Sequence, residues 1–150
     1  TGKNIRLGIS LSDLYKKLAT YPVKGAYVFL DACFSGGYKS AAPLLAQKGV
    51  RVVPKVGLPQ GNTLSFSSSS GDQTSSVYHE KKQGYYTYFL IKTIRDAKGN
   101  ISMKELFDRT SAAVKRATAL IDKIQEPQCM ASPTWIGWED IKLETPVVTP

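Results

Sequence analysis

Five consecutive apolar residues, Ala26-Tyr27-Val28-Phe29-Leu30, run straight into Asp31-Ala32-Cys33-Phe34-Ser35-Gly36-Gly37. This junction constrains the fold more than any other stretch. An apolar run without alternation fits a strand buried on both faces of a parallel sheet. The small residues and paired glycines after it fit a turn, and residues 40–47 read as a short helix. Strand, glycine-bearing turn and helix together are the grammar of an α/β fold. At 150 residues the chain fits one domain, large enough to bury a core without staples.

The remaining pattern extends this frame. Leu11, Leu14, Tyr15 and Leu18 recur at helical spacing, which predicts a helix over residues 9–19 with Ser10 or Ser12 as its N-cap. Tyr21-Pro22 closes it, because the residue before proline disfavours the helical region. Residues 48–63 are loop-rich around a weak strand at 50–53, and residues 63–68 read as a second core strand. That strand enters a polar turn, Ser69-Ser70-Gly71-Asp72-Gln73-Thr74-Ser75. A helix is expected at Tyr85–Asp96, with Tyr85, Phe89, Ile91 and Ile94 apolar. Ser102 and Glu105 match a capping box that opens a helix running to about Asp122. Its stripe is Leu106, Ala113, Val114, Ala117 and Ile121. Residues 134–138 are expected to form a last strand, at an edge because Pro133 adjoins it. The domain is read as residues 1–145, followed by a tail at 146–150.

Twenty Lys and Arg against 12 Asp and Glu give a net charge of +8. The basic residues are spread, however, and the uncompensated run from Lys39 through Lys48 and Arg51 to Lys55 reads as a solvated loop rather than a nucleic-acid stripe. No apolar run approaches the ~20 residues that span a bilayer, so no membrane partner is expected. Thr1 to Arg6 is polar and unlike a signal peptide. The start at Thr1, without Met, is read as a fragment or a processed product. Two cysteines, one histidine and scattered acids, of which only Glu139 and Asp140 are adjacent, predict no metal site and no cofactor.

Cys33 is the first candidate for chemistry. It follows a strand end, where open α/β sheets gather their sites, and its small neighbours leave the sulfur approachable. Position alone divides evenly between a nucleophile and an inert buried thiol. Asp31, two residues earlier, points to the same side in an extended segment. A carboxylate there raises the thiol pKa, so it is not an activator. It fits the floor of a pocket for a cationic substrate group, or else an ion pair or a cap for the following helix. Cys129 reads as structural and unpaired with Cys33.

Three segments carry a family resemblance. Val28 to Gly37 resembles the nucleophile strand of caspase-like cysteine peptidases, which in metacaspases has the form D-x-C-H-S-G, with Phe34 here in the histidine position. Ser69 to Ser75 is similar to the D-x-Q-T-S segment after the next core strand. Gly84-Tyr85-Tyr86-Thr87-Tyr88-Phe89-Leu90 resembles the G-x-F-T-x-x-L helix start. Together they span residues 25–95, with residues 96–145 as the later helix and edge strand.

The resemblance implies a mostly parallel α/β sheet flanked by helices on both faces and incomplete at its N-terminus. It implies a Cys–His dyad with Cys33 as nucleophile. Asp31 matches the aspartate that binds a basic P1 side chain in metacaspase-like members, whereas caspases proper carry glutamine there and cleave after aspartate. Asp72 and Gln73 match a loop bordering the cleft. The family's histidine lies upstream of the cysteine, yet the only histidine here is His79, in a charged segment read as solvated surface. The chain is therefore read as the C-terminal part of a catalytic domain whose N-terminal part carries the histidine, and as inactive alone. The expected partners are that N-terminal part and a protein or peptide substrate with a basic P1 residue. Self-cleavage after Lys48, Arg51 or Lys55 is expected during maturation. The alternative function is a catalytically inactive regulatory or interaction module. A nucleophile that must stay reduced favours the cytoplasm.

Overall fold

The computed structural model describes residues 10–31, 57–70 and 73–143. In chain order these form helix α1 (Leu11–Ala19) and strands β1 (Ala26–Leu30), β2 (Thr63–Ser67), β3 (Val77–Tyr78) and β4 (Gln83–Gly84). Helices α2 (Tyr85–Asp96) and α3 (Met103–Ala119) and strand β5 (Gln128–Ala131) follow. The strand order is β1-β2-β5. β1 and β2 run parallel, in register from Ala26 opposite Thr63 to Leu30 opposite Ser67. β5 lies antiparallel to β2, with Leu64 opposite Ala131. Among the described strands this is a small mixed sheet, with a separate β3–β4 hairpin beside it.

All five residues of β2 are buried, which explains how a serine-rich strand sits in the core. Alternation sends Ser65 to one side and Leu64 and Phe66 to the other. On the first side Tyr15 of α1 donates its hydroxyl to Ser65 at 2.8 Å, so the polar strand face has a polar partner. On the second, Leu64 and Phe66 join Tyr86, Ile101, Met103, Leu106, Val114 and Trp135 in the main apolar cluster. Helices thus cover both faces of β2, α1 on one and α2 with α3 on the other.

Local signals account for the helix starts. Ser10 accepts the Asp13 amide at 3.4 Å and Ser102 accepts the Glu105 amide at 3.2 Å. Only half of the expected capping box forms, because the Glu105 carboxylate is drawn to Arg109 at 3.4 Å. α2 begins at Gly84, which has no side chain to cap it. β1 occupies its predicted residues, but Phe29 is 39% exposed rather than buried on both faces, since β1 borders only β2 among the described strands. Phe29 still stacks on Phe66, with ring centroids 5.1 Å apart.

Other expectations differ from the structure. The last strand is β5, before Pro133, and residues 134–138 are not a strand. Proline cannot donate to a ladder, Gly137 turns the chain at φ 78°, and Trp135 packs on Tyr27 instead. α3 stops at Ala119, short of Asp122, whose φ of 53° is left-handed. Ile91 and Ile121 face solvent rather than the core. The β3–β4 hairpin was not expected at all. The helix at 40–47 and the weak strand at 50–53 lie outside the described residues.

Candidate active site

Asp31 stands at the carboxyl end of β1, exposed, and reaches across to the first turn of α2. Its Oδ2 accepts the Thr87 hydroxyl at 2.5 Å and the Thr87 backbone amide at 3.3 Å. With Gly84 as N-cap, Thr87 is the third residue of the helix, whose amide a capping side chain would normally satisfy. Asp31 therefore caps α2 from another element, and the helix terminus favours its negative charge. Of the sequence alternatives for Asp31, a helix cap is seen among the described residues, and the helix is α2. The residue is exposed.

Gly84 makes room for this clamp. Its backbone, at φ −67° and ψ 149°, is one that any residue adopts, so the glycine serves space rather than conformation. A Cβ at Gly84 would overlap Oδ2 of Asp31. Burial first, and then the Asp31 charge, pushes the hydroxyl of neighbouring Tyr86 above its ordinary pKa of 10.0. Among the described residues, Oδ1 of Asp31 accepts no hydrogen bond. An exposed carboxylate with one oxygen held and the other unengaged can receive a cationic group.

Cys33 and Asp72 lie outside the described residues. Gln73 lies within them, and both ends of its amide are engaged. Its Oε1 accepts the Glu126 backbone amide at 2.7 Å, and its Nε2 donates to the Glu126 carboxylate at 3.1 Å. Next to it, Gln125 is 1% exposed, accepts from the Ser76 amide at 2.8 Å and donates to the Ser68 carbonyl at 2.9 Å. The segment before β5 thus straps down the loop that follows β2. That loop also runs beside the end of β1, where the Ser68 amide donates to the Leu30 carbonyl at 2.9 Å. Sequence reasoning missed Gln125, which no motif marks. Gly84 and Thr87 stand in the motif at residues 84–90, but its spacing alone shows neither the space at the one nor the contact of the other with Asp31.

His79 opens the 3-10 turn between β3 and β4 and is exposed. Among the described residues no side chain orients its ring. Cys129 is a free thiol on β5, and burial pushes its pKa up to about 12, so it is a poor nucleophile. Among the described residues no cluster of three His, Cys, Asp or Glu side chains could hold a metal ion, and no helix is long and apolar enough to cross a membrane. Residues 3–134 match the family model described as the caspase domain. A comparison with curated proteins finds no match.

Proposed function

The chain belongs to the caspase domain family, and from that premise we propose that it is a cysteine endopeptidase cutting after Arg or Lys. The observation that carries this reading is Asp31, an exposed carboxylate at a strand end, two residues before Cys33, with Oδ1 unengaged among the described residues. Cys33 attacks the scissile carbonyl carbon, the amine leaves, and water hydrolyses the thioester. A histidine upstream of these residues takes the thiol proton and returns it to the leaving amine. His79 is outside this scheme, being exposed and without an orienting partner among the described residues. Backbone amides, that of Cys33 among them, hold the oxyanion. Asp72 and Gln73 border the cleft in this reading, which the fastening of Gln73 to Glu126 supports.

The test is cleavage of matched peptides bearing Arg, Lys or Asp before the scissile bond, using the full-length protein. Arg and Lys peptides are expected to be cut, Cys33→Ala to abolish turnover, and Asp31→Asn to lower kcat/KM on the Arg peptide about tenfold or more. Cleavage after Asp, or cleavage that survives Cys33→Ala, overturns the reading. No Cys33-dependent cleavage at all leaves the non-catalytic interaction module in its place.

A further inference from the structure

Two groups of one residue fix the carboxylate that the proposed function relies on. Thr87 donates its hydroxyl and its backbone amide to the same oxygen of Asp31, at 2.5 and 3.3 Å. The amide contact would persist with any residue at position 87 except proline. The shorter hydroxyl contact depends on the side chain. Gly84 leaves the carboxylate its space, since a Cβ there would overlap Oδ2. Asp31 itself is exposed, so the surrounding packing does not lock its side-chain torsions.

We propose that Thr87 is the positioning residue for substrate recognition, holding Oδ2 of Asp31 so that Oδ1 faces the cationic side chain of the substrate. This rests on the basic-residue reading of Asp31 given above. An untethered aspartate would have to be ordered as the substrate arrives, at the expense of affinity. A tethered one is already in place. The hydroxyl also makes a charge-assisted bond, stronger than a neutral one, so its loss changes the site more than the small change in volume does. Two positions of one helix start, Gly84 by its absent side chain and Thr87 by its hydroxyl, thereby set the location of a charge on a different element.

Titration calorimetry on the full-length protein carrying Cys33→Ala reads this without turnover, using peptides that differ only in a central arginine or citrulline. The parent is expected to prefer arginine. Thr87→Val is expected to shrink that preference about tenfold. Gly84→Ala should do the same by displacing the carboxylate, and Thr87→Ser, which keeps the hydroxyl, should restore it. The proposal is overturned if Thr87→Val leaves the preference intact while Asp31→Asn removes it. It is equally overturned if Thr87→Val weakens both peptides alike, the mark of a merely structural residue. A parent without arginine preference, or an Asp31→Asn variant that keeps it, sinks the recognition role of Asp31 itself, whatever Thr87 does.

Discussion

Gln125 has a neutral amide, only 1% exposed, that joins two loops by hydrogen bonds to the Ser76 amide and the Ser68 carbonyl. Truncation would strand both backbone groups in a buried place, where an unmade hydrogen bond costs more than a made one contributes. Gln125→Ala is expected to lower stability by about 2–4 kcal/mol, two unsatisfied groups together, read as a shift in the urea midpoint. Such a residue is invisible in sequence, because nothing in Gln125-Glu126-Pro127 says which backbone groups the fold will bring to it. Asp31 is the opposite case. Its place after an apolar strand and beside Cys33 marked it at once. Its partner was hidden, since Thr87 lies 56 residues away and only the topology brings the two together.

Among the elements, legibility followed periodicity. α2 occupies its expected residues, because its apolar spacing is continuous and its neighbours are a glycine and a turn. α1 and α3 differ from expectation only at their ends, where left-handed or capping residues decide. The two-residue strands of the β3–β4 hairpin are too short to show any alternation. The apolar residues at 134–138 were misleading, since Trp135 spends its surface on Tyr27, with ring centroids 5.9 Å apart, instead of on a ladder. α3 has an ordinary cap on its own chain, and Ser102→Ala is expected to cost about 1 kcal/mol, measurable by thermal or urea denaturation. α2 is capped by Asp31 at the end of β1, so the helix cap and the proposed substrate-binding residue are one side chain.

Across the molecule, two groups packed at the same core respond to alkaline pH in the same sense. Burial raises Cys129 from 9.0 to about 12, and burial with the charges of Asp31 and Cys129 raises Tyr86 above 10.0. Both are acids that stay protonated in the folded chain after the unfolded chain has released its protons. The unfolded state then binds fewer protons, so stability falls as pH rises through about 9 and beyond. Urea midpoints measured from pH 8 to 11 should decline, and Cys129→Ala should flatten the onset near 9. A midpoint that is level over this range contradicts the assignment. The connections between α1–β1 and the rest of the described residues also bear on cleavage of the chain. Among the described residues they include the five-residue parallel ladder of β1 with β2, the bond from Tyr15 to Ser65, and the grip of Thr87 on Asp31. None of these contacts uses residues 32–56. A nick after Lys48, Arg51 or Lys55 would break the covalent path between two pieces already joined by contacts on either side of the break. The nicked product would behave as a heterodimer, its halves parting in denaturant rather than on dilution alone.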